Sequence, residues 1–193
     1  MHRFTIKYMR GDKMLYTYDE VIKQYKNNYQ LKKAILRNEI LKVKPGLYSD
    51  KELSMDTPEV FIKRQDAVLT LQSAFHYHGV TDYVPDFTYI ATPRNAYPIK
   101  DCNIKQIFMS GKYHSIGIEK YNQDGNIIRV YNLERSLIEL IRYESKISFE
   151  EYHHVLRKFR DKKNNLNFNK LMTYAKQFKS YKKIVSVIQN SII

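Results

Sequence analysis

Amide and cationic side chains cluster near the amino end of the chain, in types and spacing that suit contact with a nucleic-acid duplex. The segment "NNYQLKKAILRNEILKVKPGLYS", residues 27–49, joins a helix-like stretch, alternating lysines and a Pro-Gly turn. Asn and Gln can bind adenine edges, Lys can bind guanine edges, and Lys or Arg can neutralise phosphates. The candidate base contacts are Asn28, Tyr29, Gln30 and Lys33, and the candidate phosphate contacts are Lys32, Arg37, Lys42, Lys44 and Tyr48.

Two short helices must position these side chains. The first is predicted to begin near Thr17, because acidic residues follow in the first turn, where the helix dipole favours negative charge. Asn27 and Asn28 interrupt it and supply a cap for a second helix over about 29–38. Three residues at i, i+3, i+4 spacing form the apolar side of this second helix: Leu31, Ala34 and Ile35.

A basic hairpin is predicted after the second helix. Apolar residues and lysines alternate over 41–44, as in a half-buried strand, and Pro45-Gly46 suits a turn. Because two-residue hairpins prefer turns of the opposite hand, we expect a loop longer than these two residues. The order of helix, break, basic helix and basic hairpin is typical of a winged helix-turn-helix, whose second helix enters the major groove. Before Thr17 we expect only a shortened opening helix, since Gly11 breaks the pattern.

The charge distribution favours a polyanionic partner. The chain has 193 residues and a formal net charge of +13. Residues 1–53 hold 12 Lys/Arg against 6 Asp/Glu, residues 54–149 hold 11 against 11, and residues 150–193 hold 10 against 3. Cations that displace counterions from phosphates gain affinity for nucleic acid, so the two basic ends are the candidate contact regions.

The remainder of the chain is predicted to be a second domain. A polar stretch, 50–58, fits a linker, which gives an N-terminal DNA-binding domain at 1–53 and a C-terminal domain at 54–193. We expect a helix at about 66–78 capped by Asp66, strands within about 87–131 that include a hairpin turn at Asp124-Gly125, and helices over 133–193. The predicted fold class is α+β, an N-terminal winged helix-turn-helix plus a C-terminal mixed domain with a small antiparallel sheet and a helical tail.

No enzyme site is predicted. Cys102 is the only cysteine, which excludes an internal disulfide and a cysteine-cluster zinc site, and we expect a buried or half-buried small apolar side chain there. His76 and His78, like the adjacent His153 and His154, point to different sides of a helix and cannot share a metal. No phosphate-binding loop, GxSxG or HExxH occurs, and no cofactor is expected. Three acidic residues also lack the Asp…Glu-x-Lys arrangement of a nuclease: Glu119, Asp124 and Glu134.

No membrane association is predicted either. The sequence has no run of about 18 apolar residues, and its first residues lack the apolar stretch of a secretion signal. We therefore expect a cytoplasmic protein.

Several segments in order resemble the AbiEi-type antitoxins of bacterial abortive-infection systems. They are "LKVKPGLYS", "SAFHYHGVTD" followed by "YIATPRN", "VYNLERSLIELIRY" and the lysine-rich tail, and the resemblance spans about residues 17–193. It implies a transcriptional autorepressor that binds inverted repeats in its own promoter, with two copies on the DNA. It also implies a C-terminal antitoxin domain that counters a nucleotidyltransferase-like toxin, with no stable complex required between them, as a type IV toxin-antitoxin pair in phage defence.

The resemblance also assigns residues. Residues 28–37 match the recognition helix, residues 42–48 match the wing, and residues 77–79 match recurrent family positions, as does Arg135. An arginine in the first turn of a helix is poorly placed for the dipole, so Arg135 is a candidate anion site or ion pair. Between these, we favour a buried pair with Glu134 or a neighbouring acid. The candidate functional residues of the antitoxin domain are Arg135, Lys158, Lys162 and Lys163.

Two questions stay open at the level of sequence. The basic C-terminal region is either a second phosphate surface or the wet face of a helical domain, and we expect its charges to face DNA or RNA. Beside the repressor-antitoxin, a regulator with a ligand-sensing or dimerising C-terminal domain and an enzyme acting on nucleic acid are alternatives. Four aromatic residues could stack on bases, although we expect them in the core: Tyr152, Phe159, Tyr174 and Tyr181.

Overall fold

The chain folds into two compact units of mixed α/β structure. The computed structural model describes residues 15–50, 60–123 and 126–193. The first unit comprises Met1–Gln65 and Asn122–Ile127, and the second comprises Asp66–Tyr121 and Ile128–Ile193. The predicted domain boundary after residue 53 lies outside the described residues, as do most of the predicted linker and the Asp124-Gly125 turn.

A three-stranded antiparallel sheet and two helices make up most of the first unit. The elements are β1 (Leu15–Thr17), α1 (Tyr18–Tyr25), α2 (Asn28–Leu36), β2 (Leu41–Lys44), β3 (Leu47–Ser49) and α3 (Val60–Lys63). The strand order is β1-β3-β2, so β3 is central. Where the sequence suggested the end of an opening helix, Leu15–Thr17 is instead a strand paired with β3. The rest of that expected helix lies outside the described residues.

Local side-chain chemistry fixes the ends of α1 and α2. Thr17 and Glu20 form a reciprocal capping box at the start of α1, and the Asn27 side chain accepts a hydrogen bond from the Gln30 backbone at 2.9 Å. After α2, Asn38 adopts a φ of 55°, and two backbone bonds, Asn38 N to Ile35 O and Glu39 N to Ala34 O, close the helix end. The predicted start of the first helix at Thr17 is therefore confirmed.

The hairpin between β2 and β3 is tighter than the sequence suggested. Lys44 pairs with Leu47, so the loop is Pro45-Gly46 only, and Gly46 takes a φ of 78°. The pairing register shifts between Lys42 and Lys44. This irregularity adds local twist, which lets the strands continue from a turn of the less favoured hand. The expectation of a longer loop was therefore wrong.

A five-stranded sheet and six helices are described in the remainder. The strands are β4 (Val68–Leu69), β5 (Thr88–Pro93), β6 (Ile104–Met109), β7 (Ile118–Gln123) and β8 (Asn126–Tyr131), in the order β6-β5-β4-β8-β7. The helices are α4 (Leu71–Tyr77), α5 (Gly111–His114), α6 (Leu133–Arg142), α7 (Phe149–Asp161), α8 (Phe168–Ala175) and α9 (Tyr181–Ser191).

The second sheet differs from the expected antiparallel one. The β4–β5 pair is antiparallel, whereas β4–β8 and β5–β6 are parallel. The helix expected from Asp66 begins only at Leu71, with Thr70 as its cap residue. The helix begins later because Val68 and Leu69 form β4, which pairs with β5 and β8 at the centre of the sheet. The small sheet that is antiparallel throughout is the one in the first unit.

Helix α6 forms the centre of the second unit's core. Asn132 caps it by accepting from the Arg135 backbone at 3.0 Å, and Leu137, Leu140 and Ile141 are fully buried. Of the aromatic side chains expected in the core, Tyr152 and Phe159 are buried in it, and Tyr174 and Tyr181 are partly buried and pack against this core. Three aligned isoleucines anchor α9 and its end: Ile184, Ile188 and Ile192. Among the described helices none is long and apolar enough to span a membrane.

Candidate nucleic-acid interface

Helix α2 separates an apolar side from a polar one. Leu31 and Ala34 are buried with Tyr16, Val21 and Ile40 in the core of the first unit. The opposite side carries exposed side chains, as the i, i+3, i+4 spacing indicated: Tyr29, Gln30, Lys32, Lys33 and Arg37. Burial of the leucine side fixes the rotation of the helix, so the amide and cationic groups project away from the core.

Contacts within this exposed side order several of its groups. Tyr18 donates its hydroxyl hydrogen to the Asn28 side-chain oxygen at 2.8 Å, which leaves the Asn28 amide hydrogens as donors toward solvent. The Lys33 ammonium lies 4.6 Å from the centroid of the Tyr29 ring, within the range of a cation–π contact. Arg37 lies 3.7 Å from Glu39 in an exposed pair, which is worth little and is readily exchanged for a phosphate.

Of the hairpin residues predicted to contact phosphate, Lys42 is exposed and Tyr48 is buried. Lys42 is exposed on β2. Only the backbone of Lys44 is described, so the prediction for its side chain falls outside the described groups. Tyr48 was expected to contact phosphate, but it is 5% exposed and packs in the core because β3 is the central strand of its sheet. We therefore remove Tyr48 from the candidate surface.

Arg135 is a core residue and cannot meet a partner molecule. It is fully buried, its guanidinium nitrogens lie 2.8 and 2.9 Å from one Glu139 carboxylate oxygen, and it donates to the Tyr113 carbonyl at 2.7 Å. The rings of Tyr131 and Phe178 cover it at 4.5 and 4.6 Å. The expected buried pair is confirmed with Glu139, one helical turn away, as the partner. The proposal of an anion site at Arg135 was wrong.

The three candidate lysines of the second unit are held by internal contacts. Lys158 pairs with Asp82 at 2.9 Å, and Lys162 donates to the His78 carbonyl at 3.0 Å. Lys163 donates to the Ile193 carbonyl at 3.2 Å while its side chain lies at the surface. These bonds connect α7 and the segment after it to distant parts of the same unit. They give Lys158 and Lys162 a structural role, which the basic composition could not reveal.

His78 and Glu119 of the second unit likewise contact neighbouring groups within the unit. One ring nitrogen of His78 lies 2.7 Å from the Tyr131 carbonyl, and burial lowers the pKa of His78. Glu119, considered as a metal ligand, instead accepts from Tyr121 and Lys170 at 2.7 and 3.1 Å. In the described part of the chain, no group of three or more His, Cys, Asp or Glu could hold a metal ion. Cys102 was expected to be at least half buried but is exposed.

A basic groove between α7 and α9 was not anticipated. Its volume is about 420 Å³, and Phe149 stands at its edge with 78% of its surface exposed and its ring 4.2 Å from the His153 ring. Arg157 and Arg160 are exposed, and neither forms an ion pair within the described ranges. The i, i+4, i+8 and i+11 positions of α7 place these four side chains on one side of the helix. That spacing could have identified them from the sequence.

The second unit also contains a cleft of about 460 Å³ beside the start of α7. Its walls come from α4, the segment between α4 and β5, strands β5 and β6, and the first turn of α7. This volume is in the range of small-molecule sites.

Comparison with known proteins gave no match, either to a family model or to a curated protein.

Proposed function

We propose that the chain is a DNA-binding transcriptional autorepressor whose first unit is a winged helix-turn-helix. The observation that carries this proposal is the exposure of Gln30, Lys32 and Lys33 on α2, while Leu31 on the opposite side is buried. A helix of this kind presents amide and cationic groups together to the edges of bases and to phosphates. Lys42 on the following hairpin adds a cation where a wing would contact the backbone.

The element order of the first unit supports the proposal. Two helices separated by a two-residue break, Lys26 and Asn27, are followed at once by the β2–β3 hairpin. Strand β1, which precedes the helices, pairs with β3 and so ties the hairpin to the helix pair. A helix with its side chains has a diameter of about 10–12 Å, which fits the width of about 12 Å of the major groove, and the nine residues of α2 extend over about 14 Å. The N-terminal turn of α2 would carry Asn28 and Gln30 into the groove.

The discriminating experiment replaces Gln30 and compares two duplexes. Fluorescence anisotropy would measure binding of the whole chain to the region upstream of its gene and to a scrambled duplex of equal length. Gln30→Ala should weaken binding to the upstream duplex by about 1–3 kcal/mol and leave the affinity for the scrambled duplex unchanged. Gln24→Ala, an exposed glutamine on α1, is the matched control. Equal binding of the two duplexes by wild type and Gln30→Ala would contradict base recognition by α2.

The second unit is proposed to carry the antitoxin activity of an AbiEi-type type IV system. The sequence resemblance is the reason for this part, and the groove containing Arg157 and Arg160 supplies a surface for RNA or DNA phosphates. The neighbouring gene would encode a nucleotidyltransferase-like toxin, and the antitoxin would counter it with no stable complex required between them.

Co-expression with the neighbouring gene tests the antitoxin proposal. The whole chain should restore growth, and Arg157→Gln with Arg160→Gln should reduce the rescue while DNA binding by the first unit persists. Lys176→Gln with Lys179→Gln removes the same charge from exposed positions elsewhere in the unit and should keep the rescue. Failure of the wild-type chain to restore growth would refute the antitoxin role but leave DNA binding intact.

The second candidate function is a regulator whose second unit senses a ligand. The open cleft of about 460 Å³ favours it, since its volume is in the range of small-molecule sites. A repressor of this kind would release the upstream duplex when the ligand binds, and it would not protect cells from the product of the neighbouring gene.

A further inference from the structure

The cleft beside α7 has a chemistry of its own that goes beyond the proposed binding of DNA. Every residue that lines it belongs to the second unit, so the inference stands whether or not the first unit binds a duplex. Three aromatic rings form much of its wall: Tyr83, Phe87 and Tyr89. Tyr83 is 57% exposed and the adjoining Val84 is 76% exposed, so apolar surface is open to a ligand.

Negative charge predominates in the cleft, although the chain as a whole is strongly basic. The carboxylates of Asp86, Glu150 and Glu151 line it, and the cationic side chain among the lining residues is Lys105. Three carboxylates against one ammonium give a formal charge of −2, in a chain whose net charge is +13. None of the three carboxylates forms an ion pair with a residue in the described ranges.

Lys105 shows how this wall accommodates an ammonium group. Its nitrogen lies 4.0 Å from the Phe87 ring centroid and 5.4 Å from the Tyr89 centroid, and it donates to the Tyr89 hydroxyl at 3.4 Å. Aromatic faces attract cations through their quadrupole, and the attraction grows as water is excluded. The Lys105 ammonium is therefore in contact with the Phe87 and Tyr89 rings, and the three carboxylates of the cleft still have no cationic partner among the described residues.

A further acceptor in the wall also lacks a donor. The side-chain oxygen of Gln72 is buried and accepts no hydrogen bond from any described residue. A buried acceptor without a donor costs free energy, but this oxygen has almost no exposed surface and is therefore not a contact for a ligand in the cleft. The unpaired groups that face the cleft are thus the three carboxylates, which favours a ligand that carries positive charge.

We propose that this cleft binds an organic cation that carries ammonium or guanidinium groups. The carboxylates of Asp86, Glu150 and Glu151 pair with its charged groups, and the exposed Tyr83 ring covers its carbon chain. The same chemistry is found in a free polyamine and in an arginine side chain. An anionic ligand would meet three carboxylates and one ammonium that is already covered by two rings.

Isothermal titration of the whole chain with spermidine, and separately with N-acetyl-arginine amide, tests the proposal. We expect one bound cation per chain, with Glu150→Gln and Asp86→Asn each weakening it about tenfold, because a charge-assisted hydrogen bond is lost. The matched control is Asp161→Asn, which removes the same charge from an exposed residue at the other end of α7. Circular dichroism of each variant verifies that the fold is kept.

Each outcome decides the matter. Binding of spermidine that falls in Glu150→Gln but not in Asp161→Asn supports a site for a free polyamine. The same pattern with N-acetyl-arginine amide and not with spermidine supports a site for an arginine side chain. An equal loss in Asp161→Asn and Glu150→Gln shows nonspecific attraction to acidic groups and overturns the proposal, as does the absence of heat with both compounds.

Discussion

Replacement of Lys32 offers the sharpest test of how α2 would meet DNA. Lys32 is exposed and forms no ion pair within the described residues, so Lys32→Ala removes a free cation without disturbing the core. The residue lies between Leu31, which is buried, and Lys33, which covers the Tyr29 ring. Its loss should therefore change the number of neutralised phosphates and little else.

The magnitude follows from the number of candidate phosphate contacts. Lys32, Arg37 and Lys42 are the exposed cations assigned to phosphates, and each contributes about −0.9 to the slope of log affinity against log salt. Three contacts predict a slope of about −2.7 per bound copy, so a rise from about 50 mM to about 200 mM salt should weaken binding about 40-fold. With Lys32→Ala the slope becomes about −1.8, and the same rise in salt should weaken binding about 12-fold.

Fluorescence anisotropy over a series of salt concentrations would measure both slopes on the same duplex. Lys100→Ala is the matched control, since it removes an exposed lysine of the second unit. The loss in Lys32→Ala should be similar on cognate and scrambled duplexes, because phosphate contacts carry no sequence information. An unchanged slope in Lys32→Ala, or an equal change in Lys100→Ala, would refute the placement of this helix against the duplex.

Three further predictions concern the second unit. Arg135→Leu should lower the free energy of unfolding by up to about 3–5 kcal/mol in urea titration, because the buried Glu139 carboxylate then keeps Arg142 as its one charged partner in the described residues. Adding Glu139→Leu should recover part of the loss. Gly117→Ala should lower the free energy of unfolding by about 1–3 kcal/mol, since Gly117 has a φ of +75° and a new Cβ would lie 2.6 Å from the Arg135 Cβ. In the control Gly111→Ala the new Cβ meets open space, so the free energy of unfolding should change by less than about 0.5 kcal/mol in the same titration. Burial lowers the pKa of His78, so below about pH 6.5 the unfolded chain binds a proton that the folded chain does not, and stability should decrease as the pH falls. Urea midpoints measured from pH 7 to pH 5 should decrease less in His78→Gln than in the wild type. An identical decrease in both proteins would contradict this role of His78.

Features that depend on neighbouring residues were predictable from the sequence. The caps at Thr17, Asn132 and Ser148 each accept a hydrogen bond from the backbone nitrogen three residues ahead, which is a contact between neighbours in the sequence. The buried and exposed sides of α2 followed from helical spacing, since one turn of helix brings Leu31 and Ala34 together.

Features that depend on residues distant in the sequence could not be predicted from it. Val68 and Leu69 fit a helical pattern, and only their pairing with Ala91 and Ile90 makes them a strand. Tyr48 lies in a polar, turn-rich segment, but its position in a central strand buries it. Two residues are too few for a period to be visible, and burial in a central strand is decided by partners on both sides.

The same difficulty recurs among the cations of α7. Lys158 and Arg157 are neighbours of equal charge in the sequence, but among the residues that the structure describes only Lys158 has a carboxylate within reach, that of Asp82. Asp82 comes from a segment more than 70 residues earlier, so its approach depends on the packing of α4 against α6 and α7. Composition therefore indicated a basic region, while the fold decides which of its charges can meet a partner.

The two-residue strand β4 has a consequence for biosynthesis. Leu69 pairs with Val130, which is synthesised 61 residues later. At about 5–20 residues per second, roughly 3–12 s separate the emergence of these two residues from the ribosome. During that interval one edge of the apolar β4 has no partner strand, so the nascent chain is most exposed to mispairing and to chaperones at the centre of its future sheet.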